Sequence, residues 1–147
     1  MITFSVDTSD LDAKMDRLTK IDIERIHEGI GVIIEGHVVR KIDELGLVDL
    51  GAFKASISYR TYPDHVLIHD GVHYGVHLEY GTRPHKIRAK NKKVLHWKKD
   101  GKDVFAYSVN HPGTKEYAPF RKGLIASQDD VTAFVRSSII NCISGGG

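Results

Sequence analysis

Apolar residues recur at helical spacing over the first third of the chain, whereas the middle third alternates and breaks at short intervals. The opening ITFSVD sets Ile2, Phe4 and Val6 on one side of an alternating segment, which predicts a short strand. Ser9 or Asp10 can cap the helix that follows, with Leu11, Met15 and Leu18 on one face. The next stripe runs Ile23, Ile26, Ile30, Ile33 or Ile34, Val38, Ile42 and Leu45. Its steps of three to five predict one long helix over about residues 22–45. Gly29, Gly31 and Gly36 interrupt that helix. A glycine inside a helix costs about 1 kcal/mol relative to alanine. These positions therefore predict close approach of another element, from the same chain or a neighbour.

After Gly46 the period changes. DLGAFKASISYR reads as a turn and a short helical segment entering a strand near 57–62. Pro63-Asp64 turns the chain, 65–68 returns as a strand, and Asp70-Gly71 turns it again. Strand-like segments at 94–97 and 104–109 flank KKDGKD, whose Asp100-Gly101 suits a two-residue hairpin turn. HPGTKEYAP is an irregular connection. Pro119 is tolerated in a first helical turn, and a final helix follows with Phe120, Leu124, Val131, Phe134 or Val135, and Ile139 as its apolar side. The sum predicts an α+β fold, a small antiparallel sheet packed against a long N-terminal helix and a C-terminal helix. A single domain over 1–143 carries a basic loop or hairpin at 82–103, and 144–147 forms a flexible tail.

Composition narrows the class. At 147 residues, 41% apolar and 27% charged, the chain has the length and balance of one soluble globular domain. No apolar run approaches the ~20 residues a membrane helix needs; VIIEGHVV is broken by Glu35 and His37. MITFSVDTSD lacks the charged and apolar segments of a signal peptide. A single cysteine, Cys142, leaves no internal disulfide and no thiolate metal site. Together these predict assembly or action in a reducing cytoplasm, away from membranes.

The net charge of +2 hides a strong asymmetry. Arg83, Lys86, Arg88, Lys90, Lys92, Lys93, Lys98, Lys99 and Lys102 place 9 of the 21 basic residues within 20 positions, against Asp100 alone. The rest of the chain carries 12 basic and 18 acidic residues, which predicts two surfaces with different partners. The basic segment reads as a solvated loop, a docking loop for an acidic partner surface, or a nucleic-acid contact. In the last reading the cations neutralise phosphates, and His85, His96 and Trp97 offer rings that stack on bases. Leu95 and Trp97 also share one face of an amphipathic strand, which predicts a core role for Trp97.

HVLIHDGVHYGVH spaces His65, His69, His73 and His77 evenly by four, a pattern that raises metal binding or proton relay. Neither a helix nor a strand runs through it, because Asp70-Gly71 and Gly75 interrupt, so the rings need not converge. HExxH is absent, as are a GxSxG elbow and a GxxxxGKS loop. The expectation is local structural histidines, with no catalytic, metal or cofactor site. A zinc-dependent enzyme is the most distant reading.

YGVHLEYGTRPHKI, followed by VLHW and HPGTKEYAPF, resembles the tail-completion or neck proteins of long-tailed bacteriophages. The pattern is an aromatic residue, a short spacer, Glu, an aromatic residue, Gly-Thr and often Pro, then a basic segment, His-Pro-Gly-Thr, and Pro-Phe opening the last helix. Here those positions are Tyr74, Glu79, Tyr80, Gly81, Thr82, Pro84, His111, Pro112, Gly113, Thr114, Pro119 and Phe120. Upstream, DLGAFKASI is similar to the family's threonine-Gly-x-Leu-x-x-Ser-Ile passage. Ser56-Ile57 match, while Leu50 precedes Gly51 and Phe53 holds the usual Leu position. The resemblance spans roughly 49–124.

It implies a structural virion protein of the neck, assembled in the host cytoplasm, with no enzyme activity and no cofactor. It implies a homo-oligomeric ring, six copies being the expected number, that completes the tail and joins it to the head. Partners would be head connector or stopper proteins and tail tube or terminator proteins, with packaged DNA nearby. The nine cations become the candidate contact with a neighbouring subunit or partner. A small nucleic-acid-binding domain using residues 83–102 is the alternative.

Overall fold

The computed structural model describes residues 9–19, 21–47, 51–90 and 93–145. The strand expected in ITFSVD lies outside them. In chain order the elements are α1 (Ser9–Leu18), α2 (Ile23–Glu44), α3 (Gly51–Ala55), β1 (Ser58–Thr61), β2 (Val66–His69), α4 (Gly75–Tyr80), β3 (His85–Arg88), β4 (Leu95–Lys99), β5 (Lys102–Ala106), β6 (Ser108–His111) and α5 (Pro119–Ser144). The fold is α+β, as the sequence predicts. Two compact units divide the chain: Met1–Val72 with Pro119–Gly147, and His73–Ala118.

In the first unit, α2 begins where the Asp22 carboxylate accepts the Arg25 N–H at 2.9 Å. It ends at Gly46, whose φ of 68° reverses the chain. There the Gly46 N–H donates to Asp43 O at 3.0 Å and the Leu47 N–H to Ile42 O at 3.1 Å, which satisfies the last carbonyls, and Leu47 is buried. Val38, Ile42, Leu47, Phe53 and Ile57 form the core. The hairpin β1–β2 packs on α2, and α2 packs along α5. Phe53 of α3 meets Phe120 of α5 edge-on at 6.4 Å. Arg17 of α1 donates to Ile143 O at 2.8 Å, and the Cys142 thiol donates to Arg17 O at 3.1 Å, tying α1 to the end of α5.

Glycines set the closest approach. A Cβ on Gly123 would lie 2.7 Å from Val38 Cα, so α5 meets the α2 backbone almost directly. Gly29 and Gly31 likewise make room for the rings of Phe134 and Tyr59. Gly36 is different: beyond its own helix backbone, none of the described residues lies within 4 Å of the side chain it lacks. The expected close approach is therefore met within this chain at Gly29 and Gly31, and at Gly36 no described residue supplies it.

Several expectations need correction. Ser9 and Asp10 lie inside α1, so neither is its cap. Met15, Ile23 and Leu124 are exposed, not core, and the Leu11 side chain lies outside the described residues. On α5 the buried positions are Pro119, Gly123 and Ser127, small residues that an apolar pattern overlooks. Ser144 is still helical, and residues 146–147 lie outside the described set.

The second unit holds α4 and a long ribbon. β3 pairs with β6 from His85↔His111 to Arg88↔Ser108, and β4 pairs with β5 from Leu95↔Ala106 to Lys99↔Lys102. Along the chain β4 and β5 fall between β3 and β6, and each pair forms its own two-stranded sheet. Asp100 at φ 52° and Gly101 at φ 76° close the β4–β5 tip as a type I′ turn, the geometry anticipated for Asp-Gly. The single small sheet expected from the sequence is instead three two-stranded ribbons among the described residues.

Candidate functional site

Of the residues that carry the resemblance, Gly81, Thr82, Gly113 and Thr114 meet at the root of the long hairpin. Two glycines, 32 positions apart, each need the other's surroundings to be bare. Gly81 has φ 69°, and a Cβ there would lie 2.7 Å from Thr114 O and 2.9 Å from the Glu116 nitrogen. Gly113 has φ 91°, and its missing Cβ would collide with Thr82 O. Both facts make glycine necessary, because an L side chain is strained at positive φ and has no space besides. Between them the Thr82 N–H donates to Thr114 O at 2.8 Å. The Thr114 N–H returns to Thr82 O at 3.2 Å and to Thr82 Oγ1 at 2.8 Å. The Tyr117 and Ala118 N–H groups both donate to Leu78 O, at 3.0 and 3.2 Å, so the last turn of α4 is fastened to the same crossing.

The neighbouring positions support this root. His111 Nδ1 accepts the Gly113 N–H at 3.1 Å, holding the His-Pro-Gly turn. Glu79 is buried and Tyr80 is exposed, on adjacent positions of α4; Tyr74 stands at its N-terminus and Pro84 leads into β3. Pro119 and Phe120 belong to the other unit, where they open α5. Glu79-Tyr80 therefore sits on a short helix, α4, which the sequence pattern does not predict.

From this root the ribbon carries the cations. Arg83, Lys86, Arg88, Lys90, Lys93, Lys98, Lys99 and Lys102 are all exposed, and Lys92 lies outside the described residues. Leu95, Trp97, Val104 and Ala106 share one face, while His96 and Phe105 share the other. His96 stacks on Phe105 with centroids 4.6 Å apart, and its Nε2 donates to Asp103 Oδ1 at 2.7 Å. Trp97 is 36% exposed, so its expected core role is corrected: a two-stranded ribbon offers no second layer to bury it. Phe105 and Tyr107 are 63% and 80% exposed. Nothing in the basic pattern pointed to these two aromatics, although both occur in VFAYSV.

The histidines do not form a centre. His65 Nδ1 lies 2.7 Å from Asp64 Oδ1 and its ring stacks on Tyr62 at 4.5 Å; His69 Nε2 lies 3.2 Å from Ser58 Oγ across the hairpin. His73 and His77 are exposed in the other unit. Elsewhere, His85 and His111 face each other across the ribbon with centroids 5.1 Å apart. Their tautomers oppose a shared metal. His85 Nδ1 donates to Arg83 O at 2.8 Å, which leaves Nε2 a lone pair, but His111 Nδ1 is already an acceptor, so its Nε2 carries the proton. Among the described residues no three His, Cys, Asp or Glu side chains are grouped to hold a metal ion.

Titration is perturbed at the surface. A hydrogen bond from Lys14 holds the Asp10 carboxyl below its usual range, and one from His65 does the same for Asp64. Among the described residues no helix is long and apolar enough to cross a membrane. No protein-family model, curated protein sequence or solved structure matches this chain.

Proposed function

We propose that this chain is a structural protein of the neck of a long-tailed bacteriophage, assembling as a ring that completes the tail and joins it to the head connector. The observation that carries the reading is the interlock of Gly81-Thr82 with Gly113-Thr114 at the root of an exposed basic ribbon. Such a root has a mechanical role: it fixes the direction of an arm whose side chains remain available to a partner. The same residues are the ones that resemble the neck family. Work of this kind needs surfaces instead of reacting groups, and the motif residues act as scaffold. Each described strand pairs on one side only, so edges remain that neighbouring subunits can close by strand pairing.

Labelling particles with an antibody to this chain tests the proposal. Electron microscopy is expected to place the label at the head–tail junction, and loss of the protein is expected to leave filled heads beside unjoined tails. Normal joining without it would refute the reading.

A second reading is favoured by a different observation, the exposed Phe105 and Tyr107 among the cations. A nucleic-acid-binding ribbon would stack those rings on bases and lose affinity steeply with salt. Absence of binding to single-stranded and duplex DNA or RNA at low salt removes it.

A further inference from the structure

The ribbon and the first unit have complementary faults. Residues 73–118 carry 10 basic and 4 acidic side chains, net +6, and the remaining residues carry 11 and 15, net −4. At the ribbon tip Lys99 stands directly opposite Lys102, a like-charge pair that destabilises a hairpin in isolation. On α2, Glu24 and Glu28 are a like-charge pair one turn apart, equally unfavourable alone. Glu24, Glu28, Val32 and Glu35 follow one another at intervals of four, four and three, so they form a single stripe along the helix. Val32 in its middle is 58% exposed. Beside it lies Gly36, exposed, with no other described residue within 4 Å of the missing side chain beyond its own helix backbone. The other two glycines of α2 each admit a ring, whereas at this one no described residue uses the space.

We infer that the basic ribbon of one copy docks on the outward face of α2 in a second copy, with Lys99 and Lys102 against the Glu28–Glu35 stripe and ribbon backbone or side chains closing over Val32 and Gly36. The occupant is a second copy because both halves of the contact are present in this chain and each repairs the other's charge fault. The contact is heterologous: ribbon and helix face are different surfaces, so every docked copy still offers one of each. Such a contact propagates, and it closes into a ring when the rotation permits. The inference rests on the reading that the protein assembles with itself, and supplies the surfaces.

Charge reversal tests it. The ribbon variant is Lys99→Glu with Lys102→Glu, which keeps a like pair opposite each other and so leaves hairpin stability nearly unchanged. The helix variant is Glu28→Lys with Glu35→Lys. Light scattering at low salt, over a range of concentrations, is expected to give a multi-chain species for the wild type and a monomer for each variant alone. An equimolar mixture of the two variants is expected to recover the associated species, because reversed acidic ribbons then meet reversed basic helices, and native ribbons meet native helices, in alternation. Gly36→Leu, which adds no charge and whose Cβ meets no other described residue within 4 Å, is expected to give the same loss. Circular dichroism checks that each variant is folded.

A wild type that is monomeric throughout overturns the inference, as does a ribbon variant that keeps the wild-type mass or a mixture that stays monomeric. If the wild-type mass survives ribbon reversal, assembly stands and only this docking surface falls. If reversal removes DNA binding while the mass is unchanged, the ribbon belongs to a nucleic acid and the inference falls.

Discussion

α2 and α5 approach until a glycine of one rests on the backbone of the other, and Phe53 behind them is fully buried. The ribbon β3–β6 is built the opposite way: it has no packed layer, its rings stand in solvent, and its order comes from a type I′ tip and a root of reciprocal backbone bonds. The first unit is held by apolar burial and close approach, the ribbon by backbone geometry at its two ends. A two-stranded hairpin alone is only marginally stable in water. The contrast teaches that exposed apolar area is informative only when the element carrying it has been fixed in place by other means, as the ribbon has at Gly81 and Gly113.

The largest effects are expected in the first unit. Gly123→Val adds a branched side chain where even a Cβ would sit 2.7 Å from Val38 Cα, so the helix pair must separate. A loss of about 3 kcal/mol or more is expected, at the upper end of overpacking, read from urea unfolding. Phe53→Ala empties a fully buried site and is expected to cost about 3–5 kcal/mol in the same measurement. A loss under about 1 kcal/mol at Gly123 would break the close-approach account.

Gly113→Ala comes next, through strain at φ 91° and collision with Thr82 O. It is expected to cost about 2–4 kcal/mol, adding a strained backbone position to local overpacking. Its location sharpens the comparison: hydrogen exchange should accelerate across 82–114 while the amides around Val38 and Ile42 stay protected. Equal acceleration in both units would mean that they do not hold themselves independently.

How far the sequence reveals this division depends on what carries each contact. The α2 span was legible because its apolar stripe is continuous, and the Asp100-Gly101 tip because two positive φ angles demand such residues. The buried face of α5 was not. Gly123 and Ser127 carry it, while the more hydrophobic Leu124 is 51% exposed. Hydrophobic periodicity reports where large apolar groups lie, and close helix contacts are made by small ones. β3 was missed because HKIR has the polarity of a loop and pairs 23 positions or so away with SVNH. α4, six residues long, is too short for a helical period to declare itself. The candidate site was legible as motifs, but not that backbone of residues 114–116 fills the space beside Gly81 and backbone of residues 82–84 the space beside Gly113, since that is a fact about segments brought together from distant positions.

The hairpin tip should respond modestly. Asp100→Ala puts a less tolerant residue at φ 52° and is expected to cost about 1 kcal/mol, seen as weaker cross-strand proton contacts between Trp97 and Val104, with the first unit unchanged.

Gly36→Ala has the smallest expected effect and two opposite signs. In the separated chain, the added methyl meets no other described residue within 4 Å and alanine replaces the poorer helix former, so stability should rise by roughly 0.5–1 kcal/mol. In an assembly where a neighbour's ribbon closes over that position, the added methyl group would hinder the approach, and association should weaken. Thermal melting at a dilution where the chain is monomeric reads the first effect, and light scattering at high concentration reads the second. A gain in melting temperature with unimpaired association would make Gly36 an ordinary weak point of α2. The opposite signs together would mean that this glycine, unlike Gly29 and Gly31, is kept bare for another molecule.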